Sequence, residues 1–457
     1  MGIKPVTNVP SGSSAGYLAA LSLIFAYAVF QSGGMLDTDW DRCMVSLGLL
    51  AMVYFRFTNK DDLAPPAQWW FRWPPLLLLG FIGLQLVPLP MWLLRVVSPA
   101  RAGLLQSLGQ VLPGMASAPI SVFPSATLAH FLRAGAYTVV FVMARELAWR
   151  TIGRRWLIVA PIVIIAGAEA VFGVLQYDSS TASVAHGTYV NRNQFAGLLE
   201  LSLPFAVAYP IATMMARRHR PFRLAVLAAM SVALAALILL GIILSLSRMG
   251  FAASLSSLFV LGCLTLGARA SASRRLAAGA AAAAAVIAAS VYLAPDPLIN
   301  RFAEIRGTTE IADSTSITRP RLWKDAWSLV TDYPIVGCGL GAFGQAFPKY
   351  RTFLPQLAVD FVQNDYLQFL AELGGIGFGI AAFGMIVVVL SAARAIFRSA
   401  DSSKRHLAIA CLAALAAILI HSFTDYNLYI PANAMLLAWI AGVVASLNFS
   451  SRGSFRT

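Results

Sequence analysis

Charged residues are scarce in this chain, and their scarcity excludes a water-soluble globule. Asp, Glu, Lys and Arg make up 12% of the 457 residues, whereas hydrophobic residues make up 58%. Soluble domains carry about 25% charged residues. The sequence therefore predicts a polytopic membrane protein whose apolar segments cross a lipid bilayer.

Cysteine is rare as well, and the arrangement of the cysteines excludes the common metal and redox motifs. Cys43, Cys263, Cys338 and Cys411 show no paired spacing, so neither a zinc site nor a thioredoxin-like site is expected. We expect no cofactor and no metal ion. The N-terminus lacks a basic region followed by a small-residue cleavage site, so we expect no cleaved signal peptide.

The formal net charge of +14 is typical of nucleic-acid-binding proteins, but its distribution argues against that class. Lys and Arg concentrate in short loops between apolar segments, and no soluble segment carries a basic face with interleaved aromatic residues. The positive-inside bias of membrane proteins explains this distribution. We therefore expect membrane lipids, and no nucleic acid, among the partners.

The apolar segments number about twelve, each near the ~20 residues that cross a bilayer as a helix. The predicted fold class is all-α, a polytopic transmembrane helical bundle with a cap, residues 295–365, between spans nine and ten. Residues 1–294 hold spans one to nine in this prediction, and residues 366–457 hold spans ten to twelve. The predicted spans are Ala15–Gly33, Trp40–Phe55, Pro74–Leu94, Ala126–Leu147, Trp156–Tyr177, Phe195–Met215, Leu224–Leu246, Met249–Leu266, Leu276–Ala294, Tyr366–Ala393, Leu407–Phe423 and Ile430–Leu447.

The basic loops fix the predicted orientation, because with twelve spans they all fall on one side of the membrane. By the positive-inside rule that side is the cytoplasm, and both termini join it. In a bacterium the protein would lie in the inner membrane, with the cap in the periplasm. The basic loop residues are Arg56, Lys60, Arg72, Arg150, Arg154, Arg155, Arg217, Arg218, Arg220, Arg223, Arg269, Arg274, Arg275, Arg394, Arg398, Lys404 and Arg405.

The predicted periplasmic face collects residues 186–193, 245–249, 295–365 and 421–429. Within the cap, Thr318-Arg319-Pro320 indicates a helix start, followed by an amphipathic helix with two tryptophans. The glycine-rich stretch from Gly337 to Gly344 contains a GxGxxG pattern, but it lacks the βαβ context of a dinucleotide site. Its glycines either expose backbone N–H groups to a phosphate or form a tight turn.

Two arginines on this face carry the functional hypothesis. Arg192 lies just before a span, and Arg248 lies in a very short turn between two spans. An arginine at the membrane surface is costly unless it is paired, reaches the headgroups or has a function. Guanidinium groups bind phosphate oxygens bidentately, so two arginines on one face predict a diphosphate-binding site. Arg319 and Arg321 add positive charge to the same face.

Three carboxylates, Glu169, Glu200 and Glu372, fall within predicted spans and need partners there. Glu200 follows Arg192 by about two helical turns, so an arginine of the periplasmic face is one candidate partner. His421 and Asp425 share the last periplasmic loop. They either orient a substrate or cap a helix.

With these residues and motifs, the chain resembles the O-antigen ligase family, which also includes O-antigen polymerases and some protein O-oligosaccharyltransferases. The resemblance spans roughly residues 169–433 and rests on the order of several motifs along one membrane face. The motifs are His186–Gly197 (HGTYVNRNQFAG), Ser245–Gly250 (SLSRMG), Thr318–Phe343, Gln363–Gly374 (QNDYLQFLAELG), His421–Asp425 (HSFTD) and Ile430–Asn433 (IPAN).

The resemblance implies a glycosyltransferase that takes a glycan from undecaprenyl diphosphate. The acceptor would be a hydroxyl of lipid A-core in a ligase, or of another lipid-linked glycan in a polymerase. Arg192 and Arg248 match the arginines that hold the diphosphate in such proteins. The expected substrate-binding residues are His186, Asn191, Asn193, Arg319, Arg321, Asn364, Asp365, Tyr366, His421 and Asp425.

One position departs from the family pattern. Gln363 stands where similar members carry a histidine that activates the acceptor, and glutamine cannot take up a proton near neutral pH. The chain is then an inactive form, or a different residue serves as the base, or stabilisation of the leaving group by the arginines carries the reaction. The candidate bases are His186, Asp360, Asp365 and His421.

Two readings from other classes stay open on the sequence alone. A transporter or lipid flippase is one, although such proteins place binding groups near the bilayer midplane and often contain repeats. A structural or regulatory membrane protein is the other, because Gln363 replaces the expected base.

Overall fold

A computed structural model describes residues 12–59, 62–108, 116–178, 183–215, 221–265, 271–293, 319–352 and 358–447. Several predicted features lie outside the described residues: the part of the cap up to Thr318, together with Lys60, Arg217, Arg218, Arg220 and Arg269. The candidate site residues all lie within the described ranges.

The described residues are predominantly helical. The short segments Ser32–Gly34, Ile152–Ile158, Phe347–Lys349 and Asn427–Tyr429 are 3₁₀-helical. The α-helices are α1 Gly12–Phe30, α2 Asp37–Phe57, α3 Trp69–Leu86, α4 Met91–Val97, α5 Pro99–Leu108, α6 Pro124–Arg150, α7 Ala160–Gln176, α8 Arg192–Met215, α9 Pro221–Leu244, α10 Arg248–Thr265, α11 Ala272–Leu293, α12 Arg319–Asp332, α13 Phe343–Ala346, α14 Asp365–Arg398, α15 Ser402–His421 and α16 Pro431–Leu447.

Each of the twelve predicted spans overlaps one of these helices, namely α1–α3, α6–α11 and α14–α16. Within the described ranges, seven helices are long and apolar enough to span a membrane: α6–α10, α14 and α15. α1 and α16 are apolar but shorter. The chain is thus a helical membrane protein, as predicted, while the count of twelve spans stays a prediction.

The helix of the third predicted span ends at Leu86, just before Pro88 and Pro90, which cannot continue it. Pro88–Pro90 forms strand β1, which pairs antiparallel with strand β2, Ser117–Pro119. The chain then continues through α4 and α5, which follow the break as separate short helices. Helices α4 and α5 form one wall of a cavity described below.

The helices place the two groups of loops at opposite ends of the bundle. At one end Arg155 pairs with Asp401 at 3.3 Å, and Arg405 donates to the carbonyl of Thr265 at 3.1 Å. These contacts bring predicted cytoplasmic loops together. The other end, which we call the cap end, holds the starts of α8, α10 and α14 and the end of α15.

Helix α8 occupies the middle of the bundle and packs against α7, α9, α10 and α15. Every residue from Gln194 to Ala206 is buried. Its apolar side chains and its small residues allow neighbouring helices to approach on several sides. The polar groups at the cap-end start of α8 are consequently held on a well-packed helix.

The backbone of the cap is in close contact with the backbone of α14 where the two segments cross. Gly337 and Gly374 both have positive φ, +72° and +61°, which L-residues rarely adopt. A Cβ on Gly337 would overlap the carbonyl oxygen of Glu372, and a Cβ on Gly374 would overlap the backbone of Ile335. Gln85 of α3 joins this crossing, because its Nε2 donates to the carbonyls of Val336 and Glu372 at 2.8 and 2.9 Å.

We expect Gly337→Ala or Gly374→Ala to reduce the free energy of unfolding by at least about 2 kcal/mol, since each combines backbone strain with a clash. The midpoint of thermal unfolding of the purified protein measures this change. Gly379→Ala is the matched control on α14, because no atom lies within 4 Å of a Cβ built there. Equal midpoints for Gly337→Ala and Gly379→Ala would contradict the close crossing.

Candidate functional site

The residues predicted from sequence collect at the cap end. The first turns of α8, α10 and α14 meet there with the end of α15, the loop 422–430 and the start of α12. We call this cluster the cap-end site. Its parts come from distant stretches of sequence, so each contact between them is described in turn.

Arg192 is the first residue of α8, and it follows a tightly bonded turn. The Asn191 side chain accepts from the N–H of Asn193 at 2.9 Å, so Asn191 caps the helix. The carboxylate of Glu169, on α7, accepts from the backbone N–H of Thr188 at 2.5 Å. The partner that Glu169 needs is therefore this turn. The bond fixes the position of the turn that leads to half-buried Arg192.

His186 lies at the start of the same turn. Its Nδ1 is 2.8 Å from the carbonyl oxygen of Tyr189. A carbonyl oxygen only accepts, so Nδ1 carries the proton and Nε2 is the basic nitrogen. The ring is partly exposed.

Arg248 is the first residue of α10, in the short turn after α9. The Ser247 hydroxyl oxygen accepts from the N–H of Gly250 at 3.2 Å, which caps this helix. A Cβ built on Gly250 would lie 2.6 Å from the Cβ of Ala196 on α8. The first turns of α8 and α10 are therefore in contact, and Arg192 and Arg248 begin adjacent helices at the same end.

Two adjacent helix N-termini favour a bound anion, because their N–H groups and dipoles present partial positive charge. Arg192 and Arg248 add two full charges at these N-termini. The arrangement can therefore hold a group with several negative oxygens, such as a diphosphate.

Gln363 lies at the start of α14, where the cap enters the bundle. Its φ is +57°, in the left-handed region that favours glycine. The Nε of Arg319, at the start of α12, donates to Gln363 Oε1 at 3.2 Å. Asn364 caps α14, since its side chain accepts from the N–H of Leu367 at 3.0 Å. Helix α12 is thus hydrogen-bonded to Gln363, the position at which similar family members carry a histidine.

Asp365 is fully buried, and both of its oxygens are bonded within the protein. Oδ2 accepts from the Ser422 hydroxyl at 2.8 Å, and both oxygens lie 3.3 Å from the N–H of Leu428. Its own N–H donates to the carbonyls of Ser422 and Asp425. Asp365 therefore ties α14 to the loop 422–428.

His421 and Glu200 form a pair in the interior, with Nδ1 2.9 Å from Glu200 Oε2 and both side chains 0% exposed. Within the described part of the chain, His421 Nε2 and Glu200 Oε1 have no hydrogen-bond partner. Buried Asp425 accepts from the N–H of Tyr426 at 2.8 Å. The Tyr366 hydroxyl donates to the carbonyl of Leu419 at 2.5 Å, which holds α14 against α15.

Tyr426 connects the two halves of the site, and the sequence motifs did not single it out. Its ring stacks on Phe361, with centroids 4.2 Å apart and planes at 4°. Its hydroxyl lies near the side chains of Gln194 and Asn191, while burial raises its pKa. Phe361 precedes Gln363 by two residues, so Tyr426 links the Arg192 turn to the Gln363 segment. The aromatic residue in the loop after His421 is the only sequence signal for it.

The glycine-rich stretch of the cap uses its N–H groups internally. Glu372 accepts from the N–H of Gly341 at 2.8 Å and of Phe343 at 3.2 Å, and Gln85 accepts from that of Leu340. Burial raises the pKa of Tyr429, so its hydroxyl stays protonated and donates to Glu372 at 2.5 Å. This stretch is therefore a tight turn around a carboxylate.

Arg321 follows Arg319 by two residues on α12, at the cap surface. It donates through Nε to Thr352 Oγ1 at 3.2 Å and through Nη2 to the Thr352 carbonyl. Asp325 accepts from the N–H of the same threonine at 2.8 Å. Arg321 thus fastens the segment after Tyr350 to α12.

Among the described residues, no group of three or more His, Cys, Asp or Glu side chains could hold a metal ion.

The fold and these contacts define a helical membrane protein in which two arginines begin adjacent helices at one end. Residues 233–382, about a third of the chain, match the model of the family described as O-antigen ligase, so this region is similar to that family. The matched range includes Arg248, α12 and Gln363, whereas Arg192 and His421 lie outside it. The resemblance inferred from the motifs is thereby confirmed. No curated protein matches the chain.

We expect Glu372→Ala to destabilise the cap by at least about 3 kcal/mol, because it leaves several buried donors without an acceptor. Hydrogen–deuterium exchange measures this effect at the amides of Leu340, Gly341 and Phe343, which should exchange faster. Glu372→Gln, which keeps one acceptor oxygen, should have a smaller effect. Unchanged protection of these amides in Glu372→Ala would contradict the assigned contacts.

Proposed function

We propose that the protein transfers a glycan from undecaprenyl diphosphate to an acceptor hydroxyl, as an O-antigen ligase acting on lipid A-core. The acceptor oxygen attacks the anomeric carbon and forms the new glycosidic bond with inversion. The bond from that carbon to the diphosphate oxygen breaks, and the hydroxyl proton passes to a base. The protein's task is to stabilise the departing diphosphate and to receive this proton.

The contact between the first turns of α8 and α10 carries the proposal. It puts Arg192 and Arg248 at the starts of adjacent helices, where guanidinium groups and helix N-termini act on one anion. Positive groups arranged in advance are effective where negative charge develops in the transition state. The leaving diphosphate gains charge in this reaction, so this arrangement serves its departure.

The proposed active face is the periplasmic one. The basic loops at the end opposite the cap would face the cytoplasm by the positive-inside rule. Their agreement is supported by the contacts of Arg155 with Asp401 and of Arg405 with Thr265. Lipid-linked glycans exposed on the periplasmic leaflet would then reach the cap-end site from the membrane.

Among the four candidate bases, we assign the proton acceptor to His186. Asp365 and His421 are 0% exposed, Asp365 is bonded to Ser422, and His421 is paired with Glu200 through Nδ1. Asp360 is exposed at the cap surface. His186 is partly exposed, its Nδ1 is engaged by Tyr189, and Nε2 is the nitrogen that can accept. Gln363 would then bind the acceptor hydroxyl or the first sugar through hydrogen bonds.

Arg248→Ala should lower the rate of glycan transfer in membranes by at least about a hundredfold, as loss of one stabilising group in a transition state does. Arg192→Ala should have a similar effect, and Arg248→Lys should retain part of the rate because it keeps the charge. Arg223→Ala is the control, since this exposed arginine lies at the opposite end of α9. Unaltered transfer by folded Arg248→Ala protein would refute the proposal.

Glycans from a deletion strain identify the product. Lipid A-core without polymer, with lipid-linked chains accumulating, supports a ligase. A single repeat unit left on lipid A-core indicates a polymerase instead.

His186→Asn should slow transfer by about a hundredfold or more, because Asn can still donate to the Tyr189 carbonyl but cannot accept the proton. The double variant His186→Asn with Gln363→His should recover transfer, since it restores a base at the family position. His406→Asn is a matched control, as His406 Nδ1 also lies near a backbone carbonyl, that of Ser402, at the opposite end.

Full activity in His186→Asn would remove the assignment. If Gln363→His alone leaves the rate unchanged, the chain is not an inactive form.

A further inference from the structure

A cavity lies at the cap end, apart from the arginines. Its volume is about 800 Å³, within the range of small-molecule sites. One wall comes from α4 and α5, and the other from the end of α12 and the segment from Gln345 to Tyr350. We call it the side cavity.

The cap wall of the side cavity carries a hydrogen-bonded polar group. Asp332 accepts from the Tyr350 hydroxyl at 2.7 Å and from Lys349 Nζ at 3.2 Å. Burial and the bond to Asp332 raise the pKa of Tyr350, so its hydroxyl stays protonated. Asp332 is 40% and Lys349 67% exposed, so both retain hydrogen-bonding capacity toward a ligand.

The opposite wall carries a polar atom that the protein leaves unsatisfied. Ser98 lines the cavity, is 2% exposed, and its hydroxyl has no hydrogen-bond partner within the described part of the chain. A buried hydroxyl without a partner costs about 1–3 kcal/mol, so such groups usually meet a ligand or water. An acyl chain could not satisfy it, whereas a hydroxyl-rich ligand could.

We propose that the side cavity binds sugar residues of the transferred glycan, an inference that rests on the proposed function. Sugars offer hydroxyl groups that can both donate and accept, which suits Ser98, Asp332 and Lys349 together. The apolar lining, including Leu104 and Val122, accepts the carbon faces of the sugar rings.

The length of helix α12 determines which sugars of the glycan can lie in the side cavity. Arg319 at its start bonds to Gln363, and Thr331 and Asp332 at its end line the cavity. Fourteen helical residues span roughly 20 Å. The side cavity therefore binds sugars that are several units away from the diphosphate along the glycan, while the sugar attached to the diphosphate lies at the cap-end site.

Direct binding is the first test. The host's lipid-linked glycan, released by mild acid, is titrated into the purified full-length protein by calorimetry. Asp332→Asn and Lys349→Met should weaken binding by about tenfold, since each removes a charged hydrogen-bonding group. Ser98→Phe, which fills the cavity, should abolish it. Lys324→Met is the control for Lys349→Met, because Lys324 is exposed on α12 and does not line the cavity.

Transfer assays supply the second test. With a polyprenyl diphosphate that carries the full glycan, Asp332→Asn should raise KM by about tenfold with little change in kcat. With a donor that carries a single sugar, KM should stay at the wild-type value. A general loss of structure would change both donors alike.

The outcomes separate the two proposals. If Arg248→Ala abolishes transfer but the cavity variants bind and transfer the full glycan normally, the cavity inference fails and the function stands. If Arg248→Ala transfers normally, the proposed function fails. A purified protein that holds a phospholipid, lost in Ser98→Phe, without binding released glycan would show a lipid site and overturn the inference.

Discussion

The buried carboxylate of Asp365 holds the candidate site together. It begins α14, and its oxygens accept from Ser422 and Leu428 on the loop after α15. The same loop carries Tyr426, which reaches the Arg192 turn, and Asn433 beyond it donates to the carbonyl of Gln194 at 3.0 Å. An unsatisfied carboxylate in this setting is costly, so the contacts that satisfy it also fix the relative positions of three helices.

Buried carboxylates attach the loops of the cap end to the bundle in more than one place. Glu169 binds the turn before Arg192, and Glu372 binds the turn of the cap. In both cases backbone N–H groups, which membrane surroundings would leave unpaired, meet an acceptor carried by a helix. The scaffold can therefore present irregular backbone next to the bilayer without leaving its donors unsatisfied.

The sequence predicted the helical architecture because each span is a long apolar segment with polar ends. It also predicted that Arg192 and Arg248 share an end, because both precede apolar segments on the same side. It could not predict the partner of Glu200, which is His421, 221 residues away. The stack of Tyr426 on Phe361 and the bonds of Gln85 to the cap likewise join distant stretches, and no local pattern encodes such pairs. For the glycine-rich stretch the sequence left two readings, and only the position of Glu372 decided between them.

The order of the chain has a consequence for how the protein matures. Gln85 of α3 bonds to Val336, 251 residues later, and Asn433 of α16 bonds to the start of α8. The ribosome releases α3 and α8 long before these partners exist. These contacts of the cap-end site can form only after α16 has been inserted, so the site stays incomplete while the chain is being synthesised.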